Sequence, residues 1–373
     1  MGAQIAPKRK SRENDQVKEG MSKAEYVALG CERIMETLTS EYAVLHSELE
    51  ARLAEKYHYQ QVEVIQPHIL TEALRELGAA GHITFSRSTT TNTAQVITTI
   101  EPSATHKIKT RVSKASASKR KLYGRYLSWN HATQRFPSGR LGPAGEQVLR
   151  NSLLDSQIVT PLTEGAGEVS TVLGHNLNGS LDSGGIYTPL KGGFPEPPVT
   201  VLIEVKNVRS WIYPSARELY QLLTKAVAVQ RAAPDYAVLP VLICRRAHPK
   251  TFWMGGDLGF VVIDAQRQFV ERVTEAHVSE IREALAFGDV IAVPDDYVSF
   301  RVRDRLKSIL PKVSQTFPAK WKSTSETLHS EIRAVHRASD PTARNAAFNA
   351  LGNAADTAGL LTHGWWNDGD GDD

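Results

Sequence analysis

Cysteine is nearly missing from this chain. Only Cys31 and Cys244 occur, far apart and outside any metal or redox spacing. A disulfide framework is thereby excluded, and a reducing, cytoplasmic setting is expected. No apolar run approaches the ~20 residues a membrane span requires, so no membrane partner is expected. The N-terminus carries Lys8, Arg9, Lys10 and Arg12 without the apolar core of a secretory signal. Internal repeats are lacking. The most informative absence is local: between residues 102 and 145 there is no acidic side chain. That stretch holds Lys107, Lys109, Arg111, Lys114, Lys119, Arg120, Lys121, Arg125, Arg135 and Arg140. Charge of one sign repels itself unless an anion is near, and nucleic-acid phosphate is the natural anion. A solvated linker is an equally good account of the block taken alone.

At 373 residues with 41% hydrophobic content, the chain can bury real cores, and two domains are expected. Residues 1–22 are polar and basic and read as a disordered arm. Ser22 can cap a helix whose Tyr26, Leu29, Ile34, Leu38, Tyr42 and Leu45 follow a 3.6-residue spacing. A short helix follows over residues 48–56, then a third over 67–77 that ends at Gly78 and Gly81. Two β-rich runs, 83–86 and 94–100, come next. Three helices and a hairpin, with residues 74–83 reading LRELGAAGHI, resemble a winged helix-turn-helix domain over residues 23–102. The resemblance implies a third helix in the DNA major groove and a wing on the backbone, with His68, Thr71, Arg75, Arg87, Thr89 and Thr90 as candidate contacts. A basic connector, 103–140, supplies further candidates in Lys119, Arg120, Lys121 and Arg125. Its Tyr123, Tyr126 and Trp129 either stack on bases or pack on a neighbouring element, and packing is favoured.

From residue 141 the pattern changes. Pro143 opens a helix that carries Glu146. A Gly-rich stretch follows and contains Asp182. The apolar run from Val199 to Ile203 then ends in Glu204-Val205-Lys206. Side chains alternate along a strand, so Glu204 and Lys206 share one face. Charges at the end of a buried strand are costly unless something uses them. Asp, Glu and Lys together can hold a hard cation on oxygen and set an ammonium beside an attacking water.

Helix with Glu, strand with Asp, strand with Glu-x-Lys, helix, strand: this order resembles the PD-(D/E)XK nuclease superfamily, over about residues 140–270. The resemblance implies an α/β domain at 141–300 with a restriction endonuclease-like mixed-sheet core flanked by helices. A helical extension with an acidic tail, 301–373, is expected to follow it. Asp182 and Glu204 would be metal ligands for Mg2+, with Mn2+ as substitute. Lys206 would orient the water and stabilise charge on phosphate. Glu146 would hold a metal-bound water or a second ion, and Gln221 would lie near the site. Leu181 stands where many members have proline. The implied activity is DNA hydrolysis in defence, restriction or repair, with double-stranded DNA as partner, a nucleoid-associated location, and a homodimer if the chain is a junction resolvase. A winged-helix regulator with a degenerate nuclease fold is the non-enzymatic alternative.

Blander readings stand beside these. Glu204 and Lys206 can form a plain cross-strand ion pair. Glu146 can simply pair with Arg150 one turn on. Glu168 competes with Asp182 as the acid of the Gly-rich stretch. Arg209, named as a DNA contact, can instead rigidify its loop with Trp211 and Tyr213. The Asp-x-Asp-x-Asp spacing of the tail lacks the remaining ligands of a calcium loop.

Overall fold

The computed structural model describes residues 21–55, 64–89, 96–103 and 108–365. The arm before residue 21, Thr90 and the acidic tail lie outside these. The first elements are α1 (Lys23–Glu41), β1 (Val44–Leu45), α2 (His46–Leu49) with a π-helical turn (Glu50–Ala54), α3 (Pro67–Ala79), β2 (Ile83–Thr89), β3 (Val96–Pro102) and α4 (Lys109–Ser128). Then come α5 (Gly142–Ser156), β4 (Thr160–Pro161), β5 (Val169–Val172), β6 (His175–Leu181), β7 (Ser183–Tyr187), β8 (Leu190–Lys191), β9 (Phe194–Pro195), β10 (Val199–Lys206) and α6 (Arg217–Ala232). The chain closes with β11 (Ala237–Cys244), α7 (Pro249–Leu258), β12 (Val261–Asp264), β13 (Gln268–Glu271), α8 (Glu275–Leu285), β14 (Val290–Val293), α9 (Phe300–Val313), α10 (Phe317–Thr327), α11 (His329–Arg337) and α12 (Pro341–Thr357). The fold is mixed α/β with a mixed sheet.

Two compact units result, and each draws on two stretches of sequence. One comprises residues 1–128 and 276–289, the other 129–275 and 290–373. The boundaries expected from the sequence therefore shift. Most of the connector is α4, an integral helix of the first unit. The segment 276–289 joins that unit and not the second. The C-terminal helices are no appendage, because they build the second unit's core.

In the first unit, Ser22 caps α1 through a reciprocal pair. Its hydroxyl accepts from the Glu25 N–H at 3.3 Å, and the Glu25 carboxylate accepts from the Ser22 N–H at 2.7 Å. The inward stripe of α1, with Tyr26, Ile34 and Leu38, packs on Ile69, Ala73 and Leu77 of α3 and on Ile100 of β3. The antiparallel sheet runs β1-β3-β2. Alternation along β3 turns Thr99 to the opposite face, where its hydroxyl lies 2.6 Å from Ser116 of α4. So α3 and α4 cover opposite faces of this sheet.

α4 has little apolar surface to bury and is held by polar contacts instead. Lys119 is buried, its ammonium 2.9 Å from Glu41 and 2.5 Å from Glu48, with the Ala284 carbonyl as a third acceptor. Glu48 is itself fully buried. Burial raises its carboxyl above the usual range, opposed by Lys119 and Arg52. Arg120 donates to Ser116 at 2.7 Å and Thr99 at 3.1 Å, and Arg125 bonds Glu280. Tyr123 and Tyr126 pack edge-on against Phe287.

The second unit is built on a five-stranded sheet of order β12-β11-β10-β7-β4. β10 runs parallel to β11 and antiparallel to β7. Val201 and Ile203 face α5 and α9, in one core with Val148, Leu149 and Leu306. Leu202 faces the other way, in a core with Leu219, Leu223 and Ala226 of α6. Trp321, Ile332, Val335 and Leu351 of the last helices complete that second layer. The buried carboxylate of Asp257 ties down the segment that follows α12. It accepts from the His363 N–H at 3.1 Å and the Trp365 indole at 3.2 Å.

Candidate active site

β10 sets the site. Glu204 and Lys206 follow Leu202 on the face that α6 covers. Glu204 is 3% exposed, so its charge needs partners. It has two: Lys206 Nζ lies 2.9 Å from Oε1, and Lys225 Nζ lies 3.1 Å from Oε2. Lys225 projects from α6 and also donates to the Ser180 carbonyl at 2.5 Å. Gln221 stands one turn earlier on the same helix and is half-buried.

Asp182 arrives by sheet register. Ser183 opposes Ile203 in the antiparallel β7–β10 pair, which brings Asp182 to the level of Glu204. Its Oδ2 accepts from the Val205 N–H at 2.6 Å. Small residues allow this approach: a Cβ on Gly184 would lie 3.1 Å from the Val201 carbonyl, and one on Gly185 2.7 Å from Val159. Burial, then the neighbouring Glu204, push the Asp182 carboxyl up to about 7, against the lowering effect of the Val205 N–H and Lys206.

Glu146 comes from the opposite layer. Asn207, directly after the strand, clamps α5 in place. Its amide donates to the carbonyls of Leu141 and Phe269, both at 2.6 Å, and its oxygen accepts from the Phe269 N–H at 3.0 Å. The helix sits so close that a Cβ on Gly145 would lie 2.6 Å from the Asn207 Cβ. Glu146, the next residue, pairs with Arg150 at 3.3 Å. Burial raises its carboxyl, as do Glu168 and Glu204, while Arg150 and Lys206 lower it. The pairing with Arg150 and the proximity to the site thus hold together. Glu168 accepts from Ser180 at 2.8 Å and forms the outer edge of the group.

The donor set suits a hard cation. Among the described residues no three His, Cys, Asp or Glu side chains form a cage able to hold a metal alone. Mg2+ does not need one, since it is bound through one or two carboxylates with water and phosphate completing the shell. Asp182 and Glu204 meet that requirement, and their crowding marks a place where positive charge is in demand.

The DNA candidates fare unevenly. Arg75, Arg87, Thr89 and Lys121 are exposed. Lys119 is not available to phosphate, being buried between Glu41 and Glu48. Arg120 and Arg125 are taken up by Ser116, Thr99 and Glu280. His68, in the first turn of α3, is buried, and Thr71 bonds the Pro67 carbonyl. Arg209 is buried, and its carbonyl accepts from the Arg245 guanidinium. Sequence reasoning missed Lys225 and Asn207. Lys225 had one signal, its position four residues after Gln221. Asn207 had none beyond adjacency to Lys206. Comparisons of the chain with family models, with curated proteins and with solved structures find no match.

Proposed function

We propose that this chain is a metal-dependent deoxyribonuclease of the PD-(D/E)XK type, carried to DNA by a winged-helix unit. The observation that carries the reading is the convergence of Asp182, Glu204 and Lys206 at the end of a central strand, with Glu146 and Gln221 supplied by helices on opposite layers. Strand order and direction around β10 support it. The helix–strand–helix–helix–hairpin order of the first unit and its β1-β3-β2 sheet support the winged-helix part.

Asp182 and Glu204 would hold Mg2+. When bound, the ion supplies positive charge to the phosphate oxygens and a water that is nucleophilic at neutral pH. Lys206 places its ammonium beside Glu204, where it can meet the phosphate and orient the water. The Val205 N–H fixes the Asp182 carboxyl in direction. Lys225 balances the second oxygen of Glu204 before substrate arrives. Because burial and Glu204 push the Asp182 carboxyl up to about 7, Mg2+ binding and cleavage should rise from pH 6 to pH 8.

One observation favours a second reading, a DNA-binding regulator with a silent site: both oxygens of Glu204 already have lysine partners. Cleavage of supercoiled, linear and single-stranded DNA with Mg2+, Mn2+ or EDTA separates the two. The nuclease reading expects metal-dependent cutting that is lost in Glu204→Ala and Lys206→Ala. Binding of DNA by all three proteins, with cutting by none, would establish the regulator.

A further inference from the structure

The first unit presents two helical faces on opposite sides of its sheet, and their charges differ. On the α1–α3 side the exposed side chains include Glu25, Glu32, Glu36 and Glu76 against Lys23 and Arg75. Lys23 is also engaged by Glu72 at 2.7 Å, and Arg33 by Glu36 at 2.7 Å. Arg75 therefore stands among acids on a face that would repel phosphate. On the other side, α4 exposes Lys109, Arg111, Lys114 and Lys121 and has no acidic residue anywhere along its length. Among the described residues, none pairs with Lys109, Lys114 or Lys121. Lys114 and Lys121 are two turns apart, with exposed Ala117 and Ser118 between them. Small side chains there let a phosphate backbone come close to the helix. The inner side of α4 is fixed by Lys119 and Arg120 through the contacts described above, so the outer face is held in one orientation.

We infer that the outward face of α4 is the nucleic-acid-binding surface of the first unit and that α3 is not. The partner is duplex DNA, recognised through its backbone. On this face Lys114 and Lys121 stand roughly 10 Å apart along the helix, comparable with a major groove about 12 Å wide, and Lys109 adds an exposed cation to one side at the first turn. The inference rests on the proposed action on DNA and specifies where DNA is held.

The test is binding of the full-length chain to a fluorescein-labelled DNA duplex in EDTA, read by anisotropy over a range of salt. Wild type is compared with Lys109→Gln/Lys114→Gln/Lys121→Gln and with Arg75→Gln. Three lost phosphate contacts lower the slope of log K against log salt by about 2.7 and weaken binding at least about ten-fold at low salt. Arg75→Gln leaves both unchanged. Unaltered binding by the triple variant, or a loss confined to Arg75→Gln, would overturn the α4 assignment while the nuclease reading stood. A wild type that binds no duplex overturns the assignment too. The nuclease reading falls with it only if Mg2+-dependent cleavage is also missing.

Discussion

Asp182→Asn isolates the electrostatic cost of the site. The amide keeps the shape of the carboxylate and still accepts from the Val205 N–H, so the 2.6 Å contact survives. What disappears is a charge that is unfavourable in the folded chain. The carboxyl has an ordinary value of 3.8 and is pushed up to about 7 by burial and by Glu204. The folded state therefore binds a proton that the unfolded state has already released. The contribution of this group to stability is fully present below pH 4, falls as pH rises toward 7, and is level above that. The full difference is on the order of 4 kcal/mol. Removing the charge should restore much of that loss at pH 8 and change nothing at pH 4. Every tryptophan of the chain lies in the second unit, so tryptophan fluorescence during urea unfolding reports on this unit alone. Unfolding at pH 4, 6 and 8 in EDTA should show wild type weakening with pH more steeply than Asp182→Asn, which keeps the smaller dependence of Glu146. At pH 8, Mg2+ should then stabilise wild type and not the variant. A variant no more stable than wild type at pH 8, or equally more stable at every pH, would refute the argument.

Two further outcomes follow from the geometry. Lys225→Met should leave Glu204 with one cation instead of two, lowering kcat while tightening Mg2+ binding, and Lys225→Arg should behave closer to wild type; isothermal titration with Mg2+ alongside cleavage kinetics checks this. Gly145→Ala drives a methyl into Asn207 and should cost about 1–3 kcal/mol with a loss of activity larger than that destabilisation explains, because Glu146 and Lys206 are both displaced; urea unfolding and kcat together decide it.

The placement of Glu204 and Lys206 on one face of β10 was legible because a strand has a period of two. An acid and a lysine two residues apart, after a run such as Val201-Leu202-Ile203, must share a face, and sheet register does the rest for Asp182. Lys225 was illegible because its approach depends on how α6 crosses the sheet, which no local pattern encodes. The basic block misled for a related reason. Lys119 and Arg120 look identical in sequence to Lys114 and Lys121. Their difference comes from Glu48, Glu41 and Thr99, distant in sequence and delivered by packing. The helices after residue 300 read as an appendage because amphipathicity shows that a face is buried and not against what. Trp321 and Ile332 turn out to close the layer over α6. The hairpin after α3 and the capping of α1 by Ser22 were plain from turn and cap chemistry alone.

The discontinuity of the first unit has a consequence in time. Phe287, Glu280 and the Ala284 carbonyl meet α4 through Tyr126, Arg125 and Lys119. The ribosome makes them only after some 150 further residues have been added. At the usual ~5–20 residues per second, α4 waits on the order of ten seconds for its partner. During that interval the stacked rings of Tyr123 and Tyr126 lack Phe287, and the Lys119 ammonium has Glu41 and Glu48 but not the Ala284 carbonyl. The unit is thus finished only after β10, with Glu204 and Lys206, has left the ribosome. A nascent chain stopped short of residue 276 carries an aromatic surface that the full-length protein never shows.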